Sequence, residues 1–265
     1  MSLRMPQVGG VFVQAESEVA AINMVYGAAG SGVRAMTSSS SPGVSLKQEG
    51  ISYAAGAQLP AVIVNVMRGG PGLGSIQPSQ ADYFQATRGG GNGDYRTPVL
   101  APANLQEAVD LVQEAFDIAD QYRTPVVVLA DGLIGQMMEP IVWKEHKQRP
   151  LPPKDWASSG RGDRDHNNFI NSLLIDAPSC EKHNEELLKI YAEIEKNEVR
   201  WEEIMLEDAE LVFTAYGTPA RIAITVAENL RKKGIKAGVF RPITLWPFPY
   251  ARLREIAEQA SVKVF

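Results

Sequence analysis

From Val8 to about Trp143, short apolar, β-branched runs alternate with amphipathic segments, the rhythm of βαβ units built into a parallel sheet. Val11-Phe12-Val13 predicts a strand that gives way at Glu16 to a helix over Ser17 to Ala29, with Val19, Ile22, Val25, Tyr26 and Ala29 on one face. Pro60 to Met67 is almost continuously apolar, as a parallel strand covered on both faces must be. It ends at Arg68 and the run Gly69-Gly70-Pro71-Gly72-Leu73-Gly74. Leu105 to Tyr122 repeats apolar residues at helical spacing behind Asn104, a natural N-cap, with Glu107 at the capping-box position. Pro125 to Ala130 predicts another buried strand, closed by a turn at Asp131-Gly132.

The pattern changes after Trp143. Pro150, Pro152 and Pro153 open a polar stretch without periodicity, and a highly charged helical segment follows from Glu181 to about Met205. The βαβ rhythm returns with a strand over Leu211 to Ala215, a turn at Gly217-Thr218-Pro219, a helix over Ala220 to Lys232 and a strand over Ala237 to Phe240. The expected organisation is therefore an α/β domain over 1–143, a linker with a charged helix over 144–206, and a second α/β unit over 207–265 that ends in mid-fold.

Composition narrows the function classes. With 45% hydrophobic and 22% charged residues, the chain of 265 is that of an ordinary globular protein, and no apolar run reaches the ~18 residues of a spanning helix. A formal net charge of -5 argues against a dedicated nucleic-acid binder, and Arg231-Lys232-Lys233 reads as the cationic last turn of a helix. Cys180 is the single cysteine, so disulfides and intrachain iron-sulfur clusters are excluded, and one free thiol fits a cytoplasmic protein. His146, His166 and His183 lack ligand spacing, so no metal site is expected in this chain, and they read as surface histidines.

Two residues are candidates for chemistry. Glu16 stands where a strand gives way to a helix, the edge at which α/β sheets hold ligands, and a carboxyl desolvated there could share a proton with a ligand nitrogen. It could equally complement the helix N-terminus. Arg68 ends a buried strand and opens a glycine loop, where its guanidinium could grip a small carboxylate or form a structural ion pair. The residues alone leave both choices open.

Four runs in order along the chain resemble the alpha-type, pyrimidine-domain subunit of 2-oxoacid:ferredoxin oxidoreductases. The first is Arg34 to Gly50, with its serine tract Ser38 to Ser41. Val64 to Gly72 followed by Pro78 to Tyr83, then Gly93-Asp94-Tyr95 leading to Val99-Leu100-Ala101-Pro102, and finally Phe240 to Pro249 complete the match. The serine-rich first run and Met67 to Gly74 are most similar to the branched-chain, 2-oxoisovalerate type.

The resemblance implies a thiamin-diphosphate-binding pyrimidine domain followed by a truncated transketolase C-terminal-like α/β domain. It implies that thiamin diphosphate is shared with a beta-type subunit that holds the diphosphate and magnesium, and that gamma-type and ferredoxin-like subunits carry the iron-sulfur clusters. By the same resemblance Glu16 meets the aminopyrimidine ring, Arg68 holds the carboxylate of the 2-oxoacid, and Thr37 and Ser38 add hydroxyls near the substrate. The implied reaction is oxidative decarboxylation of a 2-oxoacid to an acyl-coenzyme A, with electrons passed to ferredoxin and the chain inactive alone. The family's Tyr-Pro-Ile-Thr-Pro segment is missing before Met5, and Asn92 stands where many members have His. Two other readings are a non-catalytic subunit that only docks a catalytic partner, and a transketolase-type thiamin enzyme. The lack of Gly-Asp-Gly followed by a distant Asn, the usual metal-diphosphate motif, counts against the latter.

Overall fold

Parallel pairing of the apolar runs makes the centre of the molecule. The computed structural model describes residues 1–259 and 261–265. Its main sheet contains, in spatial order, β1 (Met36–Ser40), β2 (Ala61–Met67), β4 (Pro125–Asp131), β3 (Val99–Leu100) and β8 (Thr244–Trp246). The first four run parallel, and β8 joins β3 antiparallel. Every position of β4 is buried, which accounts for its unbroken apolar character.

Alternate residues of β2 and β4 serve opposite faces. Ile63, Met67, Val127 and Leu129 pack with Ile22 and Val25 of α1 (Glu18–Gly30) and Ile51 and Ala55 of α2 (Ser41–Gly56). Val62, Val126 and Val128 pack with Leu111, Ala115 and Ile118 of α4 (Leu105–Tyr122). Asn104 caps α4 by accepting from the Glu107 N–H at 2.8 Å. The Glu107 carboxylate does not complete the expected box. It accepts from the Ala103 N–H and grips the buried Arg241 through two hydrogen bonds of 3.0 and 2.7 Å.

A second sheet, in the order β5 (Trp201–Ile204), β7 (Ala237–Pro242), β6 (Leu211–Thr214), packs with α7 (Gly217–Arg231) and α8 (Tyr250–Ala257). It begins inside the stretch expected as linker helix, because α6 (Ala177–Asn197) stops at Asn197 and Trp201–Ile204 pairs antiparallel with β7. Val11-Phe12-Val13 is not a strand. Those residues are irregular and 80%, 46% and 60% exposed, since the sheet offers them no neighbour and β-propensity without pairing does not make a strand. The expected turn at Asp131-Gly132 is instead the start of α5 (Gly132–Gln136), whose amides at Leu133 and Ile134 donate to the Asp131 carboxylate.

The segment between α5 and α6 forms no helix or strand, yet it is pinned across α4 by charge. His146 of this segment is a tether rather than a surface group, bonding Asp117 at 2.8 Å, and His183 of α6 likewise bonds the Gly56 carbonyl at 2.7 Å. Arg34 bonds Asp117 and Asp120, Lys154 reaches Asp120 at 2.5 Å, and Arg149 pairs with Glu198. Burial pushes the Asp117 and Glu198 carboxyls up, but hydrogen bonds from His146, the Arg149 amide and Arg34 at Asp117, and from Arg149 at Glu198, outweigh it and hold both below the usual carboxylate range.

A carboxyl whose folded-state pKa is depressed contributes stability above its unfolded pKa, about 4, and loses it as pH falls through the folded value. Thermal melts should therefore be flat from pH 8 to about 5 and fall steeply in acid. Asp117→Asn should cost about 1–3 kcal/mol at pH 7 and flatten part of that acid fall, measured by the melting temperature across pH.

Candidate functional site

Parallel pairing brings the carboxyl ends of β1, β2 and β4 to one edge, with Ser40 opposite Val66 and Met67 opposite Asp131. Ligands of open α/β sheets bind at such an edge. β1 turns directly into α2 there, so the serine tract is the crossover between strand and helix. Ser41, buried in the first turn of α2, ties that turn to β2 by accepting the Arg68 backbone N–H at 3.0 Å.

The Arg68 guanidinium donates to the Leu73 carbonyl of the glycine loop at 3.1 Å, while its Nε is buried without a partner. Among the described residues it forms no ion pair, so the structural-pair alternative is not what the fold uses. Arg34 and Arg241, the other arginines of the matching runs, are saturated by carboxylates: Asp117 and Asp120 for the first, Glu107 and Glu202 for the second.

Glu16 lies exposed in a bend before α1, with no hydrogen bond or ion pair among the described residues. Ser17 caps the helix, its hydroxyl accepting from the Ala20 N–H at 3.1 Å. Glu18, in the first turn and half-buried, is the acid that reaches the sheet edge. A Cβ added at Gly43 would lie 2.7 Å from Glu18 Oε1 and would also collide with Ser39 Oγ, so glycine at this point of α2 makes the hollow that seats the carboxyl. Glu18 and Arg68 thus flank the same helical turn, one against Gly43 and the other against Ser41.

Thr37 and Ser38 are not brought together, because neighbours on a strand point to opposite faces. Thr37 is buried and accepts from Lys47 Nζ at 2.8 Å, whereas the Ser38 side chain is exposed and its carbonyl accepts from the same Nζ at 3.1 Å. Burial pushes the Lys47 ammonium below the usual lysine range, and the charge of Glu18 opposes that shift. The sequence reading missed Glu18 and Lys47. The signal for Glu18 was its place at the first helical position, an acid in the first turn directly after the Ser17 cap.

An acid and an unpaired guanidinium on either side of a strand-to-helix crossover suit a ligand carrying a hydrogen-bonding ring and a carboxylate. Residues 1–202 match the family described as pyruvate flavodoxin/ferredoxin oxidoreductase, thiamine-diphosphate-binding. The chain belongs to that family. Residues 209–265 match pyruvate:ferredoxin oxidoreductase core domain II, so this oxidoreductase chain matches two of the family's domains.

The ketoisovalerate oxidoreductase subunit VorB of Methanothermobacter marburgensis is 55% identical over 253 residues, 96% of this chain and 72% of the relative. The 2-oxoglutarate synthase subunit KorA of Archaeoglobus fulgidus is 38% identical over 269 residues, 100% of this chain and 76% of the relative. The fold is shared, at a TM-score of 0.82 and 24% identity, with a 2-oxoglutarate:ferredoxin oxidoreductase from Magnetococcus marinus solved with 2-oxoglutarate, coenzyme A and succinyl-CoA bound. That likeness covers 99% of this chain and 50% of the other.

Gly43→Ala tests the hollow. The atoms that must move belong to the Ser39 and Glu18 side chains rather than to backbone, so the stability cost should stay within about 1–3 kcal/mol. Displacing Glu18 should nonetheless weaken thiamin diphosphate binding by the complex with its partner chains roughly 10- to 100-fold, measured by calorimetric titration.

Proposed function

We propose that this oxidoreductase chain is the alpha-type subunit of a 2-oxoacid:ferredoxin oxidoreductase, carrying the pyrimidine side of a thiamin diphosphate shared with a beta-type chain. The observation that carries the reading is Glu18 in its glycine-made hollow and Arg68, with a buried unpartnered Nε, on either side of one helical turn. Both suit the group: a half-buried carboxyl able to share a proton with an aminopyrimidine, and a donor whose burial without a partner is costly until an anion fills it.

Thiamin diphosphate, when bound, supplies the carbanion chemistry for decarboxylating a 2-oxoacid. Glu18 would hold or release the proton shared with the pyrimidine ring nitrogen, a role the family motif suggested for Glu16 and the geometry favours for its neighbour. Arg68 would receive the substrate carboxylate in a charge-assisted pair, with its backbone fixed by Ser41. Thr37 and Ser38 are supporting rather than contacting groups in this reading, since Thr37 is committed to Lys47.

The likeness to VorB favours a branched-chain 2-oxoacid, converted to its acyl-coenzyme A. The beta-type subunit would hold magnesium and the diphosphate, and gamma-type and ferredoxin-like subunits would pass the electrons through iron-sulfur clusters to ferredoxin. The chain alone would be inactive. A cytoplasmic setting agrees with its free Cys180, and no helix among the described residues is long and apolar enough to cross a membrane.

In the complex with its partner chains, Glu18→Gln should lower turnover of 2-oxoisovalerate roughly 100- to 10,000-fold, the range of a lost proton-transfer group. Glu16→Gln should stay within about twofold; the reverse order of effects would return the role to Glu16. Arg68→Ala should cost ~2–5 kcal/mol in kcat/KM, seen as a raised KM for the 2-oxoacid with cofactor affinity unchanged.

A further inference from the structure

Lys47 is among the largest fully buried side chains, 1% exposed, and neither the fold nor the reaction so far explains an ammonium there. A buried charge is costly unless its surroundings offset it, so its contacts are informative. They are the Thr37 hydroxyl at 2.8 Å and the Ser38 carbonyl at 3.1 Å, which use two of its three N–H groups. No carboxylate pairs with it directly among the described residues, yet the charge of Glu18 acts on it. Gly43 and Lys47 are four residues apart on α2 and so stack on one helix face, the face Glu18 packs against.

From this juxtaposition we propose that Lys47 is a positioning residue for Glu18 and Thr37. Its ammonium draws the Glu18 carboxyl into the Gly43 hollow, and its hydrogen bond to the Thr37 hydroxyl anchors it there. Gly43 provides space and Lys47 provides charge, one turn apart. The inference rests on the reading of Glu18 given above, and it concerns a group that touches neither substrate nor cofactor.

The test is a double-mutant cycle in the complex with its native partner chains, read as thiamin diphosphate affinity by calorimetry and as kcat and KM for 2-oxoisovalerate. Lys47→Met preserves bulk without charge. It should weaken cofactor binding roughly tenfold and lower kcat, while KM for the 2-oxoacid stays within about twofold because Arg68 is untouched. Added to Glu18→Gln, the same change should weaken binding by less than about twofold. Equal weakening in both backgrounds, or parental affinity in Lys47→Met beside a defective Glu18→Gln, overturns the inference alone. Parental behaviour of Glu18→Gln itself overturns the reading of Glu18 and this inference with it. If Lys47→Met does not fold, Thr37→Val, which removes only the hydroxyl, carries the test: several-fold weaker cofactor binding supports the role, and unchanged binding rejects it.

Discussion

The register of β1, β2 and β4 is the constraint on which the site depends. In a parallel sheet every strand ends at the same edge, so residues from distant stretches of chain arrive there without any direct attraction between them. Ser40, Arg68 and Asp131 come together in this way. Slipping a strand by one residue would move Met67 and Ile63 from the face packed by α1 and α2 to the face packed by α4, where they do not fit the existing neighbours, so the apolar strand interiors hold the polar edge in place. The close approach of α1 to α2 adds the third side. Gly50 admits Ile22 just as Gly43 admits Glu18, so the two helices meet along a stripe of missing side chains.

Charge is used in two different ways in this molecule. Arg34 and Arg241 each face two carboxylates, and the acids they meet also hold neighbouring chain: Asp117 binds the segment after α5 through His146, and Glu107 accepts the Ala103 amide just before α4. These are structural rivets, each guanidinium shared between two carboxylates. Arg68 carries the same side chain at the end of a buried strand and finds only a carbonyl. The distinction between scaffold and site therefore lies in the partners, not in the residue type or its motif.

How much of this was legible follows from where packing reinforces local pattern. α4 was read to its ends because its apolar stripe and Asn104 agree, and β2 and β4 because burial on both faces leaves them apolar apart from Asn65 and the terminal Asp131. β1 and α2 were read only as a motif. β1 is an edge strand of Thr and Ser, and α2 meets α1 partly through Gly43 and Gly50, which carry no hydrophobic signal. The same cause hid the acid: Glu16 and Glu18 look alike on paper, and only the glycine opposite tells them apart. His146 and His183 were taken for surface groups because their partners lie 29 and 127 residues away.

β8 has a consequence for how the molecule must be divided. The family boundaries fall between 202 and 209, yet the strand over Thr244–Trp246 leaves the second unit and closes the open side of β3 in the first. A chain cut at that seam would bare a row of unsatisfied amides and carbonyls on one fragment and strand an unpaired ribbon on the other. The lobes are consequently a single cooperative body, and shuffling them between relatives as independent modules would require carrying this borrowed strand along with its host sheet.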